Sequence, residues 1–152
     1  NNVDLYQVNS SYFSALGSDP KSYLIARAIQ FFSPGIPQVY YGGLLAEDND
    51  MELLAESNVG RDINRPYLNL EKVKKAKSKN VVKALSKLVE IRNSNSAFDG
   101  EFSIERQDGQ FALKWNNGLD RACLIVDLAN KDFQIVTHKS SREHVISLSD
   151  LI

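Results

Sequence analysis

A short apolar run between two breaks organises the first hundred residues of this 152-residue sequence. Ser33-Pro34 precedes the run and Gly42-Gly43 ends it, and the residues between them are largely β-branched or aromatic. Such a composition is typical of a strand buried on both faces, so we predict a strand over 36–41. With helices on both sides, this strand indicates a parallel α/β sheet, whose ligands bind beyond the carboxyl ends of the strands. We therefore expect ligand chemistry in the loop after Gly43.

Cap residues and apolar positions three and four apart predict the helices around this strand. Ser18-Asp19-Pro20 is a typical helix start, and Gly17 ends the short segment before it. A long polar connection over 44–69 carries one further helical turn at 51–54. The predicted helices span 10–16, 21–32, 70–77 and 80–93.

From Gly100 onward the pattern changes to short alternating runs separated by turn residues, which predicts strands. Asp108-Gly109 predicts a hairpin between two of these runs. The predicted strands span 101–106, 110–115, 121–128, 133–138 and 144–148. We therefore divide the chain at residue 97, and expect 98–152 to form a small antiparallel β domain, complete or truncated.

The composition is that of an ordinary globular protein, with 43% hydrophobic and 24% charged residues and a net charge of −1. This charge gives no electrostatic argument for nucleic acid or an anionic membrane, and no apolar run reaches the roughly 18 residues of a membrane span. Because the sequence has a single cysteine, Cys123, no disulfide can form within the chain, which fits a reducing compartment. Cys123 lies in an apolar run, which predicts a core position. We also expect no signal peptide, a cytoplasmic location, and a solvated helix face for the lysines between 72 and 79.

Two polar clusters are candidates for ligand binding, Asp4-Leu5-Tyr6-Gln7 and Arg61-Asp62-Ile63-Asn64-Arg65. Arginine presents a rigid fork of donors that suits diols, carboxylates and phosphate. On local evidence alone, a structural ion pair between Arg61 and Asp62 is the commoner arrangement. We expect no metal site, because His138 and His144 have no cysteine or paired carboxylate at ligand spacing.

Several stretches of the chain, in unbroken order, resemble the sucrose phosphorylases, a family within the alpha-amylase superfamily of glycoside hydrolases. The resemblance lies in 4–10, 26–41, 49–54 and 60–65, and it continues through Arg92-Asn93 and 97–100. It implies a (β/α)8 barrel, the TIM barrel, followed by a small antiparallel β domain. In that fold, 1–97 is the carboxyl-terminal portion of the catalytic barrel, 36–41 is its eighth strand, and 98–152 is the β domain.

The resemblance also implies a reaction, the phosphorolysis of sucrose to α-D-glucose 1-phosphate and fructose by double displacement with retention. Arg61 matches an arginine that contacts the glucosyl unit in the donor subsite. Asp4, Leu5, Tyr6 and Gln7 match a mobile acceptor loop, in which the aspartate binds fructose, the tyrosine and the leucine backbone serve phosphate, and the glutamine lies close to the acceptor. The implied partners are a small sugar and inorganic phosphate as co-substrate, with no cofactor, nucleic acid or membrane, and with a homodimer left open.

The catalytic carboxylates of the family lie on earlier strands of a barrel that takes about 250 residues. None of Asp4, Asp48, Asp50 and Asp62 matches them. We therefore expect this chain to be a carboxyl-terminal fragment with no catalytic residue of its own, inactive alone and with apolar faces left uncovered.

Departures from the family pattern leave the acceptor open. Gly42, Pro66 and Leu68 stand where the family often has valine, histidine and tyrosine. The alternatives are a phosphorylase of sucrose 6′-phosphate or of glucosylglycerate, or a related α-glucoside hydrolase with water as acceptor. A third hypothesis, of a different class, is a non-catalytic β module that binds carbohydrate or packs on a partner.

Overall fold

A computed structural model describes residues 9–139 and 142–152, and places a group of helices before a single sheet. The helices α1 to α6 are Tyr12–Ala15, Pro20–Phe32, Tyr41–Leu44, Met51–Ser57, Leu70–Ser78 and Asn80–Ser94. Short 3-10 helices lie at Gly60–Asn64, Ser96–Asp99 and Leu148–Asp150. The predicted helices are confirmed, with ends shifted by a few residues, and the turn predicted at 51–54 extends to Ser57. None of the helices in the described ranges is long and apolar enough to cross a membrane.

The start of α2 follows the predicted capping pattern. The Asp19 carboxylate accepts hydrogen bonds from the backbone N–H of Lys21 at 3.3 Å and of Ser22 at 3.2 Å, and Pro20 occupies the first turn. The Ser22 hydroxyl donates to the same carboxylate at 2.6 Å. These bonds satisfy backbone donors that have no partner within the helix. The hydroxyl of Ser22, more than the other contacts, lowers the pKa of Asp19.

The strand predicted over 36–41 does not form. Residues 36–40 carry no regular secondary structure, α3 begins at Tyr41, and the side chain of Ile36 is 91% exposed. A strand requires a neighbour for its backbone hydrogen bonds, and within the described part of the chain every strand belongs to the antiparallel sheet that begins at Glu101. The apolar composition indicated burial, but the residues that would bury this segment are not among those described.

The sheet confirms the five predicted strands. Strands β1 to β5 are Glu101–Gln107, Gln110–Asn117, Asp120–Asp127, Asp132–Lys139 and Arg142–Ser147, and each pairs antiparallel with the next. The turn between β1 and β2 is the predicted one, with Asp108 at φ 48° and Gly109 at φ 83°. Positive φ at both central residues gives the turn whose twist matches a hairpin.

One face of the sheet packs against the helices in a continuous core. Leu113, Leu124 and Ile135 lie opposite one another on three neighbouring strands, and each is at most 4% exposed. Cys123 lies next to Leu124 and is half-buried, so the core position predicted for it is wrong. Successive side chains of a strand point to opposite faces, and the register turns Leu124 inward. Burial nevertheless raises the pKa of the Cys123 thiol.

A buried aromatic junction connects the sheet to α2 and α6. The indole Nε1–H of Trp115 donates to the carbonyl oxygen of Phe32, the last residue of α2, at 2.7 Å. The ring of Phe98 meets the rings of Phe32 and Trp115 edge-on, with centroids 5.0 and 5.8 Å away. The guanidinium of Arg92 lies 4.3 Å from the centre of the Phe98 ring. Secondary structure changes close to residue 97, but the division at that residue stays a prediction, because the core runs across it.

The first prediction tests this junction. Replacing Trp115 with Phe removes the indole donor, leaves the carbonyl of Phe32 unsatisfied in the core, and should lower the free energy of unfolding by about 1–3 kcal/mol. Urea unfolding followed by circular dichroism measures the change. Tyr67→Phe is the control, because Tyr67 is 75% exposed and should change stability by less than about 0.5 kcal/mol. Equal stability of Trp115→Phe and the parent would contradict the role of the indole hydrogen bond.

The second prediction concerns the cap of α2. A lowered pKa means that the Asp19 carboxylate stabilises the folded state above its unfolded pKa of about 3.9, and that this stability is lost as pH falls through the lower folded value. At pH 7, Asp19→Ala should cost about 0.5–2 kcal/mol. Asp19→Asn keeps a capping oxygen and should retain most of the stability, without the acid-dependent part. Unfolding curves between pH 2 and 7 measure both, and equal losses for Ala and Asn at pH 7 would reject the cap.

Candidate functional site

A cavity of about 270 Å³ lies where α2, the start of α3 and residues 60–66 meet. We call residues 60–66, which comprise the 3-10 helix Gly60–Asn64 and the two residues after it, the 60–66 turn. The wall of the cavity includes Ser10, Tyr12, Arg27, Gly43, Asn64 and Arg65. Larger hollows occur elsewhere, including one of about 570 Å³ between 47–52 and α5. The smaller cavity is bordered by Ser10, Ser11 and Tyr12 and by the end of the cluster 61–65, so among the described residues it lies beside one of the two predicted ligand segments.

Polar contacts fix the chain after the predicted acceptor segment against the loop that carries Arg61. The side-chain oxygen of Asn49 accepts from the backbone N–H of Ser11 at 2.6 Å, and the backbone N–H of Asn49 donates to the Ser14 hydroxyl at 2.9 Å. The amide of Asn64 donates to the carbonyl oxygen of Ser10 at 3.1 Å. The fold therefore brings together two regions that are more than forty residues apart in the sequence. Asp4, Leu5, Tyr6 and Gln7 themselves lie outside the described residues, and their roles stay a prediction.

Arg61 lies on the 3-10 helix Gly60–Asn64, and its side chain is exposed. Among the described residues, no hydrogen bond or ion pair joins its guanidinium to a partner, so the structural pair with Asp62 does not form there. Arg65, the last residue of the cluster, borders the cavity directly. The turn is anchored instead through its backbone, where the carbonyl of Ile63 accepts from the N–H of Asp50 at 2.7 Å. The exposed guanidinium of Arg61, without a partner among the described residues, is suited to bind a polar ligand.

The most deeply buried charge at the cavity is Arg27, a residue of α2 that the sequence pattern did not single out. Its side chain is 6% exposed. Its Nε–H donates to the Tyr23 hydroxyl at 3.0 Å, and its Nη1 donates to the side-chain oxygen of Gln30 at 2.6 Å. The spacing 23, 27 and 30 puts these three residues on one helix face, and that spacing is the signal that could have found them. Burial, more than any other cause, raises the pKa of the Tyr23 hydroxyl.

Two adjacent tyrosines link α3 to the 60–66 turn. The Tyr41 hydroxyl donates to the carbonyl oxygen of Pro66 at 3.1 Å, and the Tyr40 and Tyr41 rings lie 4.3 Å apart. Hydrogen bonding with the Tyr40 hydroxyl, followed by burial, raises the pKa of Tyr41 to about 12. Tyr41 therefore remains a neutral donor at physiological pH.

The lysines between 72 and 79 have different surroundings. Lys72, Lys74, Lys75 and Lys77 are exposed along α5, which confirms the predicted solvated face. Lys79 differs, because its ammonium pairs with Glu47 at 3.1 Å and donates to the carbonyl of Ala46 at 3.2 Å. In the described ranges, no group of three His, Cys, Asp or Glu side chains could hold a metal ion.

Comparison with known proteins shows which class of protein this chain is similar to. No protein-family model matches the chain. The chain is a homologue of part of the sucrose phosphorylases, which are glycoside phosphorylases of the alpha-amylase superfamily, and the predicted resemblance is confirmed. The combination of helices and a five-stranded antiparallel sheet agrees with the predicted fold class, the carboxyl-terminal part of such an enzyme.

Individual relatives give the extent of this similarity. The chain is 50% identical over 129 residues to a sucrose phosphorylase of Agrobacterium vitis, and 50% identical over 124 residues to one of Bifidobacterium adolescentis. These matches cover 84% and 81% of the chain but 26% and 25% of the relatives. A glucosylglycerol phosphorylase of Marinobacter adhaerens is 43% identical over 132 residues, covering 86% of the chain and 28% of the relative. The chain thus spans about a quarter of the length of the curated relatives it matches.

Comparison with solved structures gives the same class of protein. The crystal structure of sucrose 6F-phosphate phosphorylase from Thermoanaerobacter thermosaccharolyticum superposes with a TM-score of 0.89 at 43% identity, over 92% of this chain and 29% of that one. A cyclic α-maltosyl-(1→6)-maltose hydrolase from Arthrobacter globiformis gives a TM-score of 0.64 at 15% identity, over 91% of this chain and 32% of the hydrolase, which shows a shared fold alone.

The third prediction tests the packing of α3 against Arg27. A Cβ added at Gly43 would clash with Nη2 of Arg27, whereas a Cβ at Gly42 would meet its nearest neighbour at 3.7 Å. Both substitutions to alanine gain the same helix propensity. Gly43→Ala should therefore be less stable than Gly42→Ala by about 1–3 kcal/mol in urea unfolding, because the stacked and hydrogen-bonded guanidinium cannot move freely. Equal stability of the two variants would show that Arg27 yields without cost.

Proposed function

We propose that this chain forms part of a retaining phosphorylase that converts sucrose and inorganic phosphate into α-D-glucose 1-phosphate and fructose. The observation that carries the proposal is 50% identity, across most of the chain, to proteins named sucrose phosphorylase from two bacterial genera. In the proposed reaction an enzyme carboxylate displaces fructose from the anomeric carbon while a carboxylic acid protonates the leaving oxygen. Phosphate oxygen then attacks the glucosyl–enzyme ester and frees the carboxylate, so that two inversions give net retention.

We assign Arg61 to the glucosyl unit and Asp4, Leu5, Tyr6 and Gln7 to the acceptor, fructose or phosphate. The free guanidinium of Arg61 supports the first assignment, since its forked donors suit vicinal hydroxyls. Support for the second is indirect, and comes from the contacts that hold Ser10 and Ser11 against Asn49 and Asn64. In this proposal the substrates are a small sugar and phosphate, and the reaction uses no cofactor or metal.

The chain supplies none of the catalytic carboxylates in this proposal. Asp48 accepts hydrogen bonds from the hydroxyls of Ser14 and Ser18, and Asp50 accepts from the backbone N–H of Leu53 at 2.9 Å at the start of α4. Both carboxylates therefore already have structural partners. We propose that the nucleophile and the acid come from sequence outside these 152 residues, that the enzyme works in the cytoplasm, and that it acts as a monomer or a homodimer.

A second acceptor has specific support. A sucrose 6(F)-phosphate phosphorylase of Thermoanaerobacterium thermosaccharolyticum is 49% identical over 127 residues, covering 82% of the chain and 26% of the relative. This is almost the identity found with the sucrose phosphorylases. Fructose 6-phosphate as the leaving group is therefore the second candidate, and a direct comparison of the two substrates separates them.

The experiment uses a chimera in which this chain replaces the aligned stretch of the Agrobacterium vitis sucrose phosphorylase. The chimera is incubated with phosphate and either sucrose or sucrose 6′-phosphate, and α-D-glucose 1-phosphate is measured with the chain alone as a blank. We expect glucose 1-phosphate from the chimera with sucrose, and none from the chain alone. Glucose release without glucose 1-phosphate would support a hydrolase instead, and preference for the phosphorylated substrate would support the second candidate.

The fourth prediction tests Arg61 in the same chimera. Arg61→Ala should reduce turnover of sucrose by at least about 100-fold, because a charged donor to the glucosyl unit is lost while its hydroxyls stay desolvated. Arg142→Ala, at an exposed position of β5, is the matched control and should leave turnover within about twofold. Near-normal turnover of Arg61→Ala would reject its place in the donor subsite.

A further inference from the structure

Side chains contribute to holding the segment over 32–43 in place. Residues 36–40 have no strand partner among the described residues, and the backbone hydrogen bonds at the end of the segment are those of α3, where the carbonyl of Gly43 accepts from the N–H of Ala46 at 3.0 Å. Side chains donate to four carbonyl oxygens along the segment: Trp115 Nε1 to Phe32 O at 2.7 Å, Arg92 Nη2 to Gly35 O at 2.8 Å, Gln30 Nε2 to Gln38 O at 2.9 Å, and the Tyr23 hydroxyl to Gly43 O. The first two come from the junction with the sheet, and the other two come from α2.

Arg27 controls the direction of the two hydrogen bonds from α2. A guanidinium can only donate, so a group bonded to it must accept. Because the side-chain oxygen of Gln30 accepts from Nη1 of Arg27, the amide nitrogen of Gln30 is left to donate to Gln38. Because the Tyr23 hydroxyl oxygen accepts from Nε of Arg27, its proton is left for the carbonyl of Gly43.

The surroundings of Arg27 hold its guanidinium in one orientation. Its Cζ lies 4.2 Å from the centre of the Tyr12 ring and 5.0 Å from that of Tyr23, and both faces attract a cation. Gly43 has no side chain, which leaves the space that Nη2 occupies. In the described part of the chain, no carboxylate forms an ion pair with this buried cation. The hydrogen bonds to Tyr23 and Gln30 therefore depend on the planar shape of the guanidinium and not on its charge alone.

The end of this segment is also coupled to the turn that carries Arg61. The Tyr41 hydroxyl donates to Pro66 O at 3.1 Å, and Gly42 and Asn64 line the same cavity. A shift of residues 38–43 therefore moves the contacts of the 60–66 turn.

We propose that Arg27 is a positioning residue for the donor subsite. By orienting Gln30 and Tyr23, it fixes the position of residues 38–43. Tyr41 and Gly42 then fix the position of the 60–66 turn, and with it the approach of Arg61 to the sugar. This inference rests on the proposed function, because it acts through the role given there to Arg61.

A double-mutant cycle between positions 27 and 61 tests the proposal in the chimera, with activity expressed per folded enzyme from a spectroscopic unfolding curve. Arg27→Lys keeps the charge but lacks the planar fork whose Nε and Nη1 reach Tyr23 and Gln30, and should lower kcat by at least about tenfold. If Arg27 acts through Arg61, Arg27→Lys should change the activity of Arg61→Ala by less than about twofold. A merely structural role would lower the folded fraction and leave kcat per folded enzyme unchanged, with Arg61 present or replaced.

The outcomes separate this inference from the proposed function. If Arg61→Ala loses activity while Arg27→Lys retains the parent kcat, or if the two losses multiply, the positioning role is overturned and the proposed function stands. If Arg61→Ala retains activity, the donor-subsite role of Arg61 and the positioning role of Arg27 are both overturned, whereas the proposed reaction is judged separately by glucose 1-phosphate release from the unsubstituted chimera. Where Arg27→Lys fails to fold, Tyr23→Phe takes its place, because it removes one hydroxyl from the same network. Tyr67→Phe, an exposed tyrosine, is the matched control.

Discussion

The buried hydrogen bond from the Trp115 indole to the carbonyl of Phe32 is the contact on which the remaining arrangement depends. It joins the second strand of the sheet to the carboxyl end of α2, where helix carbonyls have no partner within the helix. Phe98 and Arg92 pack on the same indole, so α6 meets the sheet at the same point. Because the segment toward the cavity starts at Phe32, its first residue is placed by the sheet.

From this fixed point the chain reaches the candidate site through a stretch without regular secondary structure. In a strand, neighbouring backbone would satisfy each carbonyl, and many side chains could vary. Here the side chains of Arg92, Gln30 and Tyr23 donate to backbone carbonyls. The position of the backbone in this stretch therefore depends on those particular side chains. An irregular segment with polar side-chain support can bring the 60–66 turn close to the cavity, and its geometry depends on the groups that donate to it.

Local patterns predicted most of the elements because the forces that set them are local. Asp19 with Pro20 predicted the start of α2, and Asp108-Gly109 predicted the first hairpin, since caps and tight turns depend on a few adjacent residues. The strand predicted over 36–41 was wrong, because strand pairing requires a neighbouring strand, and local sequence does not say whether one is present. Cys123 was assigned to the wrong face, because alternation gives two faces and only the register with Leu124 decides which one is buried.

For the site, the sequence by itself predicted the resemblance to the sucrose phosphorylases, most of the elements and the candidate residues Arg61 and Asp4 to Gln7, because long runs of matching residues carry that information directly. That the chain holds no matching catalytic carboxylate stays a prediction from the sequence. Only the tertiary structure decided that Ser10 lies against Asn64, that Arg61 is free of Asp62, and that Arg27 is buried beneath Gly43. The physical reason is that burial and hydrogen-bond direction depend on which distant residues meet. A polar residue on a helix face has the same local pattern whether it faces solvent or the centre of a site.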